Sequence, residues 1–178
     1  HPDGAENRER GRFDSVGDEP LRHARRIYDP RVREDDRRPA LLLAALPFLL
    51  AAPWIASESL FGRGIDWGEH VALMSIVSDG LRSGSVPLWN PFVECGRSLA
   101  GDPHALVFYP LVPVFLLPYG RAAALFSAAH LSVAAVGAYT LVRALGGTRS
   151  GAAFAGLLFA FGGWFPMRLF PGHTCTLA

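Results

Sequence analysis

Three side chains capable of acid–base or metal chemistry lie close together in the sequence: Asp66, Glu69 and His70. They open a segment, Trp67 to Arg82, whose apolar residues recur with helical spacing. Residues three and four apart share one face of a helix, so these three side chains are predicted to converge at its start. The pattern predicts a carboxylate acting as a general base. It equally suits Mg²⁺ or Mn²⁺ held by Asp66 and Glu69, because both ions prefer oxygen ligands.

A structural interpretation of the same residues is open as well. Asp66 followed three residues later by Glu69 is close to a capping box, in which both side chains satisfy backbone N–H groups at a helix start. Spacing alone favours this capping role over a catalytic one. Gly84 is the predicted C-terminal cap of the helix.

A second group of polar and aromatic side chains follows this helix. Pro87, Pro91, Pro103 and Pro110 divide the segment into short pieces, as expected of a loop on a membrane surface. Trp89 and Tyr109 are of the residue types that anchor loops at the membrane interface. With Arg63 upstream, the candidate substrate-binding residues are Arg63, Trp89, Asn90, Arg97, Asp102 and Tyr109.

The elements that must position these residues are apolar segments of membrane-spanning length. Residues 39–57 contain no charge and would form a helix roughly 28 Å long, close to the hydrocarbon thickness of a bilayer. Residues 122–142 and 150–166 are predicted as a second and a third span. The apolar run at 105–118 has the length of a re-entrant or interfacial segment. His130, in the second span, is expected to make an interhelical hydrogen bond.

Arginine placement predicts the orientation of these spans. Residues 1–38 carry ten Arg and ten acidic residues, which predicts a disordered tail. Under the positive-inside rule that tail is cytoplasmic. If 105–118 does not cross, the loop holding Arg143 and Arg149 is also cytoplasmic, and residues 58–121 form one large extracytoplasmic loop.

Composition agrees with a membrane domain at 39–178. The 178 residues are 50% hydrophobic, and the charges concentrate at the amino terminus. The net charge of +1 gives no indication of a nucleic-acid partner. Two cysteines, Cys95 and Cys175, are too few for a disulfide framework. The predicted fold class is an all-α integral membrane protein with three spans and a large loop bearing short surface helices.

The order of motifs resembles a known family. The motifs are Gly84-Ser85-Val86-Pro87-Leu88-Trp89-Asn90-Pro91, Cys95-Gly96-Arg97-Ser98-Leu99 and Val107-Phe108-Tyr109-Pro110, with further matches through Gly172-His173. Together they resemble the first large loop and following spans of the YfhO family. These are bacterial membrane proteins similar to GT-C glycosyltransferases, which use polyprenyl-phosphate sugars. The resemblance covers about residues 58–178, with Cys95 where the family usually has the first glycine of a pair.

The resemblance implies a multi-pass protein of the bacterial cytoplasmic membrane, of which this chain would hold the first three spans. It also implies sugar transfer from a polyprenyl-phosphate donor to a cell-envelope glycopolymer or glycolipid on the outer face. Asp66 stands where that family places its catalytic or metal-associated acid, and Arg97 or Arg63 would hold the donor phosphate. A polytopic transporter and a non-catalytic envelope-assembly protein remain alternatives. A transporter would place its polar groups near the bilayer midplane.

Overall fold

The structure is a computed structural model that describes residues 30–60, residue 64 and residues 66–169. Its helices are α1 (Pro30–Ser57), α2 (Asp66–Arg82), α3 (Tyr119–Ala144), α4 (Arg149–Phe161) and α5 (Trp164–Leu169). A 3₁₀ helix covers Val112–Leu116, and strands β1 (Trp89–Asn90) and β2 (Arg97–Ser98) form a short hairpin. Arg63, Cys175 and most of the predicted disordered tail lie outside the described residues.

Helices α1 and α3 run antiparallel along their whole length, and we refer to them as the helix pair. At one end Asp36 Oδ2 accepts from Arg143 Nε at 3.0 Å. Midway, Ser132 Oγ donates to the carbonyl of Ala44 at 2.7 Å. At the other end Arg121 donates to the carbonyl of Ile55 at 3.1 Å. The two ends of the helix pair are therefore each fixed by an arginine.

Both members of the helix pair are long and apolar enough to cross a membrane, over Asp36–Ser57 and Tyr119–Ala144. Compared with the predicted segments 39–57 and 122–142, both of these stretches begin three residues earlier. The first ends at the predicted residue and the second ends two residues later. Helix α1 itself begins earlier, at Pro30, so residues 30–38 of the predicted tail are helical. Large apolar side chains remain exposed on the helix pair, including Leu41, Leu42, Leu49 and Val133.

Helix α4 packs against α3 through small residues. A Cβ added to Gly156 would lie 2.6 Å from the carbonyl oxygen of Ala135, so only glycine permits this approach of the two backbones. Helix α4 has 13 residues and ends at Phe161, before Gly162 and Gly163. This is shorter than the roughly 20 residues that a spanning helix needs. The described residues thus do not confirm a third span over 150–166.

Residues 66–117 form what we call the loop layer, which packs on the amino-terminal part of α3. Its core joins α2, the hairpin and the 3₁₀ helix to Ala122 and Phe126 of α3. The core residues contributed by the layer are Leu73, Met74, Val77, Leu99, Ala105, Val112 and Phe115. The segment 105–118 folds as turns and a 3₁₀ helix, in agreement with the prediction that it is not a long helix.

Candidate functional site

A cleft of about 600 Å³ lies between one face of α2 and the hairpin. Four residues that the sequence marked as candidates line it: Glu69, Asn90, Arg97 and Asp102. The remaining lining residues are Ala72, Leu73, Ser75, Ile76, Asp79, Phe92, Val93 and Glu94. Polar groups from three separate stretches of the chain thus surround one space large enough for a small ligand.

The hairpin that forms one wall of the cleft depends on unusual backbone angles. Residues Glu94, Cys95 and Gly96 all have positive φ, at 53°, 62° and 109°. Two features require glycine at position 96. One is its positive φ, and the other is the Trp89 ring, which would lie 2.3 Å from an added Cβ. Asn90 Oδ1 accepts from the Phe92 N–H at 3.0 Å, an Asx turn that begins the bend.

An ion pair between a partly exposed arginine and a buried aspartate lines the cleft beside the hairpin. Arg97 Nη2 donates to Asp102 Oδ2 at 2.7 Å, and the Asp102 side chain is 4% exposed while that of Arg97 is 41% exposed. The other carboxylate oxygen, Oδ1, accepts from the backbone N–H of His104 at 2.9 Å. Both oxygens of Asp102 are therefore engaged, and the charge of Arg97 is compensated within the protein.

The three candidate catalytic residues diverge on the helix. Glu69 is exposed and faces the cleft, whereas His70 is buried against Phe115 and Tyr119. The Nδ1 atom of His70 is hydrogen-bonded to the Tyr119 hydroxyl. Consecutive helical residues point about 100° apart, so the side chains of Glu69 and His70 cannot both face one ligand.

Burial also changes the acid–base behaviour of His70. The pKa of His70 is lowered from 6.5 to about 4, first because burial removes the imidazolium from water and second because of the charge of His104. His70 is consequently neutral near pH 7. The geometry gives it a packing role in the loop layer.

Asp66 is the first residue of α2, so Asp66 and Glu69 both lie in its first turn. Carboxylates there interact favourably with the helix dipole. Asp66 is not among the described residues that line the cleft. Its catalytic and capping interpretations both stay predictions.

Two other candidates lie away from the cleft. Tyr109 is hydrogen-bonded through its hydroxyl to His130 Nε2 at 2.6 Å, and His130 Nδ1 donates to the Phe126 carbonyl at 2.7 Å. In a neutral ring Nε2 must then accept from Tyr109, so this pair ties the loop layer to α3. Trp89 covers Gly96 and keeps 57% of its surface exposed, as an interface anchor would.

The metal site predicted at Asp66 and Glu69 stays a prediction. In the part of the chain that the structure describes, no group of three His, Cys, Asp or Glu side chains is placed to hold a metal ion. Proteins often hold Mg²⁺ with one or two carboxylates together with water and substrate phosphates, so a site at Asp66 and Glu69 does not require such a group.

Two acidic residues of the cleft, Asp79 and Glu94, were missed by sequence reasoning. Asp79 follows Glu69 at i+10 along the stripe that also holds Ala72 and Ile76, so helical periodicity extended from Glu69 would have found it. Glu94 reaches the cleft through the positive-φ turn of the hairpin, and no spacing rule indicates that position.

Comparisons with protein-family models, with curated proteins and with solved structures find no match to this chain. The resemblance to the YfhO family is therefore a prediction that rests on its motifs. The structure adds one physical point at the departure from that family's glycine pair. Cys95 and Gly96 both have positive φ, the conformation that favours glycine at each position.

Proposed function

We propose that this protein transfers a sugar from a polyprenyl-phosphate donor to a cell-envelope glycopolymer or glycolipid, at the outer face of the bacterial cytoplasmic membrane. The observation that carries the proposal is the cleft, which gathers Glu69, Asn90, Arg97 and Asp102 beside the helix pair. Carboxylates and amides are suited to sugar hydroxyls because they accept and donate hydrogen bonds in directed pairs. Exposed Phe92 adds apolar surface next to them.

The arrangement of the helix pair supports the outer location. Arg143 and Arg149 lie at the same end as Asp36, while the loop layer packs at the opposite end, near Arg121. If both helices cross the bilayer, the positive-inside rule puts the arginine-rich end in the cytoplasm and the cleft outside. Large exposed apolar side chains on both helices fit contact with lipid.

Glu69 is the group we assign to proton transfer, since its carboxylate is exposed to the cleft and has no partner among the described residues. In the transfer step an acceptor hydroxyl gives its proton to Glu69 as its oxygen bonds to the anomeric carbon of the donor sugar. The bond from that carbon to the phosphate oxygen breaks, and polyprenyl phosphate leaves with the electron pair. Asn90 orients the acceptor, and Asp102 holds Arg97 in place beside it.

The test is sugar incorporation into envelope glycopolymer in cells that carry variants of the full-length protein, with protein levels checked by immunoblot. Glu69→Gln keeps shape and hydrogen bonding but removes the base, so incorporation should fall by roughly two to four orders of magnitude. Glu58→Gln is the matched control. Glu58 is an acidic residue that pairs with Arg121 instead of lining the cleft.

Asp66→Asn separates the two interpretations of Asp66. Asparagine caps a helix about as well as aspartate, so a structural Asp66 predicts near-normal incorporation in this variant. A large loss in Asp66→Asn with normal activity in Glu69→Gln would transfer the base role to Asp66. Near-normal incorporation in both variants would contradict glycosyl transfer by this cleft and favour a transporter or an assembly protein.

A further inference from the structure

The charge lining the cleft is strongly unbalanced. Four carboxylates face it, from Glu69, Asp79, Glu94 and Asp102, against the single guanidinium of Arg97. Arg97 is already bound to Asp102 at 2.7 Å. A phosphate entering this space would meet excess negative charge and no uncommitted cation among the lining residues. The cleft is therefore poorly suited to the phosphate of a donor.

An unpartnered donor group on a largely buried residue points to what the cleft binds. Asn90 is 5% exposed, and its Oδ1 accepts from the Phe92 N–H at 3.0 Å. This contact identifies the other amide atom as Nδ2, which has no protein partner among the described residues although Asn90 lines the cleft. Nδ2 can therefore donate to a ligand oxygen that enters the cleft.

These two observations select one ligand chemistry. A sugar hydroxyl accepts from Asn90 Nδ2 and donates to a neighbouring carboxylate, which uses both capacities of the hydroxyl group. The surplus carboxylates then favour a positive charge on the same ligand. Glu69 is the most available of them, because Asp102 is bound to Arg97 and Asp79 is bound to Arg82 at 3.0 Å.

We propose that this cleft is the acceptor subsite and that it takes a glycan carrying a free amine, while the phosphate of the donor binds elsewhere. The proposal rests on the function proposed above. It assigns Arg97 the role of positioning Asp102, in place of the phosphate-binding role predicted from the sequence. Asn90 binds a hydroxyl, and Glu69 interacts with the ammonium group as well as with the reacting hydroxyl.

The test is calorimetric binding to the full-length protein in detergent micelles at pH 6.5 and low salt. The probes are the β-1,4-linked glucosamine disaccharide, its N-acetylated form and N-acetylglucosamine 1-phosphate. We expect the amine form to bind about tenfold more tightly than the acetylated form, with the difference shrinking as salt is added. The sugar phosphate should show no binding.

Two variants assign the contacts. Glu69→Gln should remove most of the preference for the amine and leave binding of the acetylated probe within about twofold, since only the charge is lost. Asn90→Asp keeps the oxygen that accepts from Phe92 and removes the Nδ2 donor. It should weaken the acetylated probe by about tenfold, the effect of one hydrogen bond to a buried group. Glu58→Gln, outside the cleft, should change neither probe.

Asp102→Asn tests why phosphate is excluded. This change releases the guanidinium of Arg97, so the sugar phosphate should begin to bind. Equal binding of the amine and the acetylated probes, or binding of the sugar phosphate to the unaltered protein, would overturn the inference. Failure of all three probes to bind would overturn it as well. Amine-selective binding by a protein that gives no incorporation in cells would instead refute the transferase proposal and leave the ligand assignment standing.

Discussion

Two aspartate–arginine pairs, one in the helix pair and one in the loop layer, have opposite surroundings. Asp36 accepts from Tyr139 at 2.8 Å and from Arg143 at 3.0 Å, with Arg149 at 3.5 Å, so three groups from α3 and α4 converge on one carboxylate. Asp102 pairs with Arg97 only five residues away and lies in the wall of a cleft. The Asp36–Arg143 pair connects α1 to α3, two helices that are far apart in the sequence. The Asp102–Arg97 pair lies beside polar groups of the cleft that have no protein partner among the described residues.

This difference separates stabilising polar groups from functional ones. The carboxylate of Asp36 is saturated by the protein, and a ligand would have to displace existing bonds to reach it. Near Asp102 the carboxylate of Glu69 and the amide nitrogen of Asn90 lack protein partners within the described residues. Binding sites are expected where the protein leaves such groups for a ligand. The three predictions that follow test this contrast, in order of decreasing size.

The largest expected effect is on Asp36. Asp36→Asn leaves the guanidinium of Arg143, which is 18% exposed, without its counter-charge between two helices. We expect a loss of about 4 kcal/mol in the free energy of unfolding, measured in detergent by reversible denaturation. Asp102→Asn should cost only about 1 kcal/mol, because Arg97 is 41% exposed and can be solvated. Equal losses in the two variants would break the contrast.

The next effect is a pH dependence confined to the loop layer. The pKa of His70 is about 4 in the folded protein against 6.5 for an unburied histidine, chiefly because burial disfavours the charged ring. Between these values the unfolded chain binds a proton that the folded one does not, so stability falls as pH falls from 6.5 to about 4. The free energy of unfolding falls by an amount on the order of 3 kcal/mol across this range. Above pH 6.5 His70 causes no change in stability.

His70→Phe should remove this part of the pH slope, measured as the difference in unfolding free energy between variant and parent at each pH. His104→Gln is the control. It should retain most of the slope, because the charge of His104 is the smaller of the two causes. A slope unchanged in His70→Phe would show that other groups titrate in this range.

The smallest expected effect is at the hairpin turn of the cleft. Cys95 has φ of 62°, a left-handed conformation that costs energy for a residue with a Cβ. Cys95→Gly should stabilise the protein by up to about 1 kcal/mol, whereas Cys95→Ala should not, since it keeps the Cβ. Comparison of their unfolding midpoints in one detergent is sufficient. A gain in Cys95→Ala equal to that in Cys95→Gly would locate the effect in the thiol.

Much of the secondary structure followed from local pattern. Helix α2 was predicted from Trp67 and begins at Asp66, and both end at Arg82. The two long apolar helices agree with the first two predicted spans, because hydropathy over some twenty residues is a local property of the chain. The third predicted span failed to appear as one helix because α4 ends before the Gly162-Gly163 pair, whose local helix-breaking effect outweighed the apolar composition.

The sequence predicted which residues belong to the candidate site, but it did not predict which of them lie together. Glu69, Asn90, Arg97 and Asp102 were all marked from the sequence, yet only the structure places them around one cleft and leaves Tyr109 bonded to His130. His70 was grouped with Glu69 by spacing, and packing against Phe115 and Tyr119 turned it inward. A helical pattern gives neighbours along one face, and which face is buried depends on the partner elements.

The sequence by itself determined helix α2, the apolar character of α1 and α3, and the residue types available for chemistry. The tertiary structure decided which of those residues meet. The hairpin turn at Glu94–Gly96 brings Asn90 and Arg97 opposite each other, and the packing of the loop layer on α3 sets α2 beside them. Both depend on contacts between residues far apart in the chain, whose formation is governed by packing and loop geometry and not by local periodicity.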